Sequence, residues 1–189
     1  MELKFILIAI VSGIVLAFYI ILQNTNWKHK RRRNSAKRVT KKIQEMQEPG
    51  KIFGYLRKID PFVFEEMLLD AFHDCGIRIV RNARYSGDGG VDGRIIFDGR
   101  EIPIQAKRYK KHINKDHVRQ FSEVVRRTGA PFGLFIHTGL TGKGSQDVAR
   151  CGSIVIVSGE RLRRLLKRDK LFVLAMLRKG MQKWSDEDA

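Results

Sequence analysis

The sequence has few cysteines, since only Cys75 and Cys151 occur among 189 residues. Two isolated cysteines cannot build a disulfide scaffold or a four-ligand zinc site, so both classes of small stabilised domain are excluded. We expect the two residues to be buried free thiols in a reducing compartment. A phosphate-binding loop is also missing, because the stretch around Gly144 lacks the complete glycine-lysine pattern of such loops.

Acidic residues are scarce compared with basic ones. The chain carries 37 Lys and Arg against 20 Asp and Glu, which gives a net charge of +17 at pH 7. Residues 28–42 contain nine Lys or Arg and no acid, and the rest of the chain is still basic. A basic surface attracts polyanions, so the composition favours a nucleic-acid partner without specifying one.

Charge is absent from one stretch near the N-terminus. Residues 5–22 contain no charged side chain, and a helix of this length just spans the hydrocarbon core of a bilayer. No small-x-small cleavage motif follows, so an uncleaved anchor is favoured over a signal peptide. The cations from Lys28 to Arg33 predict that the remaining chain lies in the cytoplasm. The prediction is a single-pass protein of the inner membrane, with an N-terminal anchor at 1–27 and a basic polar linker at 28–51.

A helix is predicted to start at Asp60. Asp60 is a favoured N-cap residue and Pro61 a favoured first helical residue, and apolar side chains follow at helical spacing as far as Gly76. Glu65 falls in the second turn of this helix. On spacing alone, the simplest interpretation of Glu65 is a surface charge on an amphipathic helix.

A glycine-rich stretch introduces the most informative part of the chain. After the glycines within 87–90 come Asp92 and an apolar run, then the turn signal at 98–99, then a second run that ends at Lys107. Glycines permit a tight turn, and an Asp-Gly pair between two strand-like runs is a strong hairpin signal. The pattern predicts a β-hairpin with Asp92 at the start of its first strand.

The second strand of this hairpin carries polar residues at alternate positions. Because side chains alternate along a strand, Gln105 and Lys107 share one face and can lie beside Asp92. Carboxylate and amide oxygens suit Mg2+, and an ammonium stabilises developing negative charge, so the set suits metal-dependent hydrolysis of phosphodiesters. Solvated hairpins often carry the same residue types, so the spacing alone leaves a structural role open. Pro103 within this strand favours an edge position or an irregular start.

The remaining sequence alternates between helical and strand patterns. A strand at 77–80 precedes the hairpin, a helix at 114–128 follows it, and apolar runs at 132–137 and 154–157 predict further strands. Helices are predicted between and after these strands, up to an acidic tail at 185–189. The order predicts an α/β fold with a mixed central sheet flanked by helices.

Three parts of the chain carry a recognisable family pattern. They are the helix from Asp60 to Leu69, the hairpin from Gly87 to Tyr109, and the later motifs at 133–139 and 158–162. Together they resemble Mrr-like restriction endonucleases of the PD-(D/E)xK nuclease superfamily, in the branch with Gln before x-Lys. The resemblance implies a restriction-endonuclease-like core, assigned here to residues 52–167, with 168–189 as a helical extension and tail.

The resemblance also implies the residues of an active site. By position, the metal-binding Asp of the family falls on Asp92, its Gln on Gln105, its Lys on Lys107 and its helical Glu on Glu65. The implied metal ligands are Asp92, Gln105, Glu65 and the carbonyl of Ala106, and the implied ion is Mg2+, with Mn2+ as a substitute. An amide in place of the second acid leaves this site with less negative charge.

The sequence thus predicts a membrane-anchored, metal-dependent endonuclease that hydrolyses double-stranded DNA, similar to type IV restriction enzymes and used in defence against foreign DNA. Cleavage of both strands needs two active sites, which favours a homodimer. The predicted DNA contacts are basic residues beside the site, namely Arg84, Arg108, Lys110 and Lys111.

Two alternatives stay open at this point. The chain can be an inactive, membrane-tethered module that binds DNA or recruits a partner, or a structure-specific nuclease of the junction-resolvase kind. Metal-dependent nicking separates an enzyme from the first alternative. A comparison of branched with linear duplexes separates it from the second.

Overall fold

The computed structural model describes residues 2–82 and 90–187. Helices and strands alternate along these two ranges as the sequence predicts. In chain order they are α1 (Glu2–Glu45), α2 (Pro49–Leu56), α3 (Pro61–Asp74), β1 (Arg78–Val80), β2 (Gly93–Phe97), β3 (Arg100–Lys107), α4 (Lys115–Thr128), β4 (Gly133–His137), α5 (Lys143–Cys151), β5 (Ile154–Val157), α6 (Gly159–Leu166) and α7 (Lys170–Glu187).

The strands form one mixed sheet in the order β1-β2-β3-β4-β5. β1, β2 and β3 pair antiparallel, whereas β3, β4 and β5 pair parallel. The turn between β2 and β3 has positive φ at both central residues, 47° at Asp98 and 75° at Gly99, as a tight two-residue hairpin requires. The predicted α/β fold with a mixed sheet flanked by helices is confirmed.

β3 is the central strand, so the edge position predicted for Pro103 is wrong. Pro103 pairs with Arg94 of β2, and the parallel pairing of β3 with β4 begins one residue later, at Ile104. The Ile104 carbonyl faces β2, where it accepts a hydrogen bond from the Asp92 N–H at 2.8 Å. The backbone of Pro103 therefore faces the β4 side. The N–H that proline lacks falls just before the ladder between β3 and β4 starts.

Helix α3 begins as its sequence predicts. The Asp60 carboxylate accepts hydrogen bonds from the N–H groups of Phe62 at 2.9 Å and Val63 at 3.2 Å. These bonds satisfy two N–H groups that have no partner inside the helix. Beyond the other end of α3, Gly76 adopts a φ of 85°, which favours glycine over other residues.

A glycine in β2 lets α3 lie close to the hairpin. A Cβ at Gly93 would lie 2.8 Å from the Leu69 side chain of α3, which is too short for two carbon atoms. Any larger residue at Gly93 would require the buried Leu69 side chain to move. The close contact sets α3, which carries Glu65, against the strand that follows Asp92.

Helices cover both faces of the sheet and enclose two clusters of buried apolar residues. On one face, α1, α3 and α6 pack against the strands in the larger cluster. On the other face, α4 and α5 enclose a smaller cluster around Phe121 and Phe135. β4 lies between the two clusters and all of its residues are buried, as the apolar run in its sequence predicts.

The second half of α1 packs on the rest of the chain. Ala36 and Ile43 are fully buried in the larger cluster, and the Lys167 ammonium donates a hydrogen bond to the Gln44 carbonyl at 2.7 Å. The stretch 28–51, predicted as a basic polar linker, therefore contains the end of α1 and the start of α2. This stretch contributes to the same core as the sheet.

The first half of α1 exposes apolar side chains. Phe5, Ile14 and Phe18 each expose more than 60% of their surface. Among the residues that the structure describes, no helix combines the length and the apolar character needed to cross a membrane. The anchor predicted over residues 5–22 is not confirmed.

The two cysteines differ in exposure. Cys75 is buried at the end of α3, as predicted, but Cys151 is exposed at the end of α5. The buried face of α5 is formed by Ser145 and Ala149, which lie four residues apart. Cys151 follows two residues later and so points away from this face. The prediction of a buried thiol is wrong for Cys151.

Candidate active site

The candidate site lies where β3 extends past β2. β2 begins at Gly93, which pairs with Ile104, so the last residues of β3 have no antiparallel partner in that strand. Asp92 fills this gap. Its N–H donates to the Ile104 carbonyl at 2.8 Å, and its Oδ2 accepts from the Ala106 N–H at 2.7 Å. The hydrogen bond to Ala106 fixes the carboxylate of Asp92 at the end of β3.

The environment of Asp92 disfavours its charge. Burial raises the pKa of the Asp92 carboxyl from 3.8 to about 6, because a surrounding of low dielectric constant penalises the ionised form. The Ala106 N–H and the Lys107 ammonium act in the opposite direction, since both stabilise a carboxylate. Lys107 therefore lies close enough to Asp92 to interact with it electrostatically.

Glu65 of α3 belongs to the same site. Its pKa is raised from 4.5 to about 8, first by burial and second by the negative charge of Asp92. The Arg32 guanidinium of α1 acts in the opposite direction. Two carboxylates thus share one partly buried region, and the charge of Asp92 disfavours ionisation of Glu65. Such a pair is stabilised by a cation placed between its members.

Gln105 is held against the turn that precedes Asp92. Its Nε2 donates to the Gly90 carbonyl at 2.8 Å. Gly90 has a φ of 89°, and a Cβ there would collide with the Gln105 amide, so both the backbone and the space require glycine. Within the described residues, the Gln105 Oε1 is buried without a hydrogen-bond partner. A buried carbonyl oxygen of this kind is available to a ligand.

The donor atoms predicted for the site are of the kind that suits a hard divalent cation. They are oxygens of the Asp92 and Glu65 carboxylates, the Gln105 amide and the Ala106 carbonyl, which is the ligand chemistry that Mg2+ prefers. In residues 2–82 and 90–187, no three His, Cys, Asp or Glu side chains come together as a metal site. The fit to a cation therefore depends on the amide and main-chain oxygens as well as on the two acids.

The predicted DNA contacts have different surroundings. Arg84 lies outside the described residues. Lys110 and Lys111 are exposed in the segment that follows β3, so both can reach a phosphate beside the site. Their contact with DNA stays a prediction.

Arg108 is engaged inside the protein. Its guanidinium donates to the carbonyls of Ile59 and of Arg57, the latter at 3.3 Å. Arg57 in turn donates to the Thr138 carbonyl at 2.9 Å, at the end of β4. These two arginines tie the segment before α3 to the ends of β3 and β4. The surroundings of Arg108 thus favour a structural role over the predicted contact with phosphate.

Arg81 is also occupied by the protein itself. Its Nε lies 2.8 Å from Glu66 Oε2 and its Nη2 lies 2.5 Å from Asp70 Oδ1. Glu66 is almost fully buried. The arginine therefore forms ion pairs with two acids of α3 and is not free to contact DNA.

His137 is a buried residue that sequence reasoning missed. It lies opposite Lys107 in the parallel register of β3 and β4. Its Nδ1 accepts from the Gly139 N–H at 3.2 Å and its Nε2 lies 3.1 Å from the Thr141 hydroxyl. Burial lowers the pKa of His137 to about 4, so the ring is neutral at pH 7. The only sequence feature that points to His137 is its position at the end of an apolar strand.

The same region of the chain matches a known family. The family model Mrr_cat, described as a restriction endonuclease, matches residues 56–166, which is more than half of the chain. The chain belongs to the Mrr-type restriction endonuclease family. The region shared with this Mrr family contains the four predicted catalytic residues, whereas α1 and α7 lie outside it.

Other comparisons add little to the family assignment. No curated protein matches the chain. The solved structure of the MspJI restriction endonuclease in complex with a 27-mer oligonucleotide is similar to this Mrr-family chain, with 24% sequence identity and a TM-score of 0.45. The similarity covers 64% of this chain and 30% of the MspJI chain. The Mrr-family chain thus spans less than a third of that chain.

Proposed function

We propose that this Mrr-family protein is a Mg2+-dependent DNA endonuclease of the type IV restriction kind. The observation that carries the proposal is the position of the Asp92 carboxylate, bonded to the Ala106 N–H where β3 extends past β2, in electrostatic contact with Glu65 and Lys107. Two acids, an amide oxygen and an ammonium at one strand end form a compact set for binding and hydrolysing a phosphodiester.

The oxygens of Asp92, Glu65, Gln105 and the Ala106 carbonyl would hold the cation, Mg2+ or Mn2+. When bound, a divalent cation supplies positive charge that offsets the negative charge of the scissile phosphate. The chain contributes orientation. The Ala106 N–H fixes one oxygen of Asp92, and the hydrogen bond to the Gly90 carbonyl fixes the Gln105 amide. Little rearrangement of these two groups is then needed during the reaction.

Lys107 is proposed to orient the attacking water and to stabilise the negative charge that develops on the phosphate. In the reaction, the water oxygen bonds to phosphorus and one phosphorus–oxygen ester bond of the backbone breaks. The interaction of Lys107 with Asp92 supports this role, because it keeps the ammonium beside the metal-binding carboxylate.

The direct test is cleavage of supercoiled plasmid DNA by the full-length protein. We expect nicked or linear product with Mg2+ or Mn2+ and none with EDTA. Lys107→Ala should give no product, whereas Lys143→Ala, at an exposed lysine in α5, should cut as the wild type does. Salt-sensitive binding of intact plasmid under every metal condition would overturn the proposal in favour of an inactive DNA-binding module.

We further propose that residues 5–22 hold the nuclease at the inner membrane, with its domain in the cytoplasm. The charge-free run and the exposed apolar side chains of α1 support this location, and the cations from Lys28 to Arg33 support the orientation. Cell fractionation followed by extraction at alkaline pH tests it. Recovery of the full-length protein in the soluble fraction would contradict the location.

Two further aspects of the function are proposals. Cleavage of both strands of a duplex needs two active sites, so we propose that two copies act together. The rate of linearisation should then rise with the square of the protein concentration.

A nuclease held at the membrane meets DNA as it enters the cell, which suits defence against foreign DNA. Unchanged plasmid uptake in a deletion strain would contradict that role.

A further inference from the structure

We propose that the groove between α1 and α3 binds the phosphodiester backbone of DNA next to the catalytic site. The proposal rests on the DNA endonuclease function proposed above, and it adds a binding site on a helix outside the matched family region. The groove has a volume of about 610 Å3 and is lined mainly by charged and polar side chains of the two helices.

One wall of the groove is a stripe of cations on α1. Lys30, Arg33, Lys37 and Lys41 all line the groove, and their spacing of three or four residues places them on one face of the helix. The stripe from Lys30 to Lys41 is roughly 16 Å long, which equals the rise of about five nucleotides in one DNA strand. A row of charges of this length suits a linear polyanion better than a small anion.

The acids in the groove do not cancel this stripe. Asp70 Oδ1 lies 2.5 Å from Arg81 Nη2, and Asp74 Oδ2 lies 3.1 Å from Arg168 Nε. Both arginines line the groove as well, and Arg81 also pairs with Glu66. The two arginines therefore offset two of these three acids, and the four cations of the stripe exceed the third. The cations of α1 therefore determine the sign of the potential in the groove, which is positive.

The N-terminal end of the stripe lies close to the start of α3, the helix that carries Glu65. Arg32 of α1 stacks on Phe62 of α3, with its Cζ 3.8 Å from the ring centre. Phe62 precedes Glu65 by three residues, so the two are neighbours on the surface of α3. Arg32 is adjacent to Arg33 in the sequence but does not line the groove. In the proposed complex, a strand bound at Glu65 would pass Arg32 before it reaches the groove.

The shape of the groove favours a nucleic-acid strand over lipid headgroups. A channel between two helices admits a narrow chain, whereas headgroups form a broad surface. With residues 5–22 in a bilayer, Lys41 would lie roughly 28 Å along α1 from the hydrocarbon. The headgroup layer extends only about 5 to 8 Å beyond the hydrocarbon, so it would not reach the far end of the stripe.

The test measures how DNA binding depends on salt. A double variant, Lys37→Gln with Lys41→Gln, removes two cations of the stripe without burying a new group. Arg178→Gln with Lys179→Gln removes two charges from exposed positions of α7 and serves as the matched control. Binding of the full-length proteins to a DNA duplex is measured in EDTA over a series of NaCl concentrations. Binding to phosphatidylglycerol vesicles is measured in parallel.

We expect the slope of log Kobs against log salt to become shallower by about 1.8 in the groove variant, because each lost phosphate contact contributes about 0.9. The control should keep the wild-type slope. An unchanged slope in the groove variant, or an equal loss in both variants, would overturn the proposal. Loss of vesicle binding with an unchanged DNA slope would overturn it in favour of lipid.

This experiment is independent of cleavage. Failure of the proposed nuclease function would appear as intact plasmid with the wild-type protein in Mg2+. Failure of the groove proposal would appear as an unchanged salt slope, whether or not the wild type cuts. For an active enzyme, the groove variant should also keep the wild-type kcat at saturating DNA and show a raised KM.

Discussion

Two consecutive carboxylates on α3 belong to two different regions of the molecule. Glu66 is 3% exposed and lies 2.8 Å from the Arg81 guanidinium, which also binds Asp70. Glu65 is more exposed, yet its pKa is raised to about 8 by burial and by the charge of Asp92. Glu66 forms an ion pair with Arg81, whereas the effect of Arg32 on the pKa of Glu65 is smaller than the effects of burial and of Asp92.

The difference shows that burial alone does not identify the side of α3 that faces the candidate site. On the side of Glu66, two acids share Arg81, which offsets one of their two negative charges. On the side of Glu65, Arg32 and Lys107 only partly offset the effect of burial on the pKa values of Glu65 and Asp92, so an added cation would stabilise both carboxylates. The first arrangement should contribute to stability, and the second to activity at a cost in stability.

The largest effect is expected for Asp92→Asn. The amide still offers an oxygen to the Ala106 N–H, but the negative charge for the cation is lost, so the cleavage rate should fall about 1000-fold or more. The melting temperature should stay the same or rise, because a buried charge is removed. Single-turnover plasmid cleavage and a thermal melt measure the two effects. Cleavage at the wild-type rate would exclude Asp92 from the site.

A smaller loss of activity is expected for Glu65→Gln. Removal of one oxygen ligand, or of the partner of a bound water, should lower the cleavage rate by about 10 to 100-fold. A higher Mg2+ concentration should restore part of the rate, since metal affinity is what this residue supports. The measurement is a Mg2+ titration of the rate in both proteins. An identical titration curve would assign Glu65 to the surface.

The opposite behaviour is expected for Glu66→Gln. The variant leaves Arg81 with one acid, so the free energy of unfolding should fall by about 2 kcal/mol, while cleavage per folded molecule stays unchanged. Urea unfolding measures the loss. Glu48→Gln is the matched control, because Glu48 forms an exposed ion pair with Lys51 and should cost less than about 0.5 kcal/mol. Equal effects in both variants would remove the contrast between the two sides of α3.

The smallest effect is a change of stability with pH in EDTA. The raised pKa of Glu65 means that the folded protein binds a proton between pH 4.5 and about 8, where the unfolded chain has released it. Stability should therefore fall as the pH rises through this window. The loss should be on the order of 1 kcal/mol, since solvent reaches part of the side chain. Urea unfolding at several pH values should show a weaker fall in Glu65→Gln; an equal fall would contradict the raised pKa.

Much of the fold could be predicted because its signals are local. The cap at Asp60, the Asp-Gly turn and the apolar run of β4 each act within a few residues, and the structure confirms all three. The packing of α1 was missed, although Ala36, Val39 and Ile43 have helical spacing. The three apolar residues are buried or partly buried only because α1 packs on α3 and α6. In the sequence they stand among basic residues, which favoured the interpretation as a linker.

The site could be predicted in part for the same reason. The hairpin brings Asp92 beside Ala106 and Lys107 through pairing of adjacent strands, and the sequence encodes this pairing. The surroundings of Arg108 could not be predicted, because its partners are main-chain carbonyls and every residue has one. The same holds for Gln105, whose amide bonds to the Gly90 carbonyl rather than to a side chain.

Because α1 is one continuous helix, its length sets both the distance between its two ends and the rotation of one end relative to the other about the helix axis. α1 runs from Glu2 to Glu45 without a break, and its last turns are locked into the core by Ile43. A single inserted residue between Trp27 and Arg32 would rotate everything before it by about 100° and shift it by about 1.5 Å. The length of this stretch therefore sets the direction in which the apolar N-terminal half faces, as a flexible tether could not.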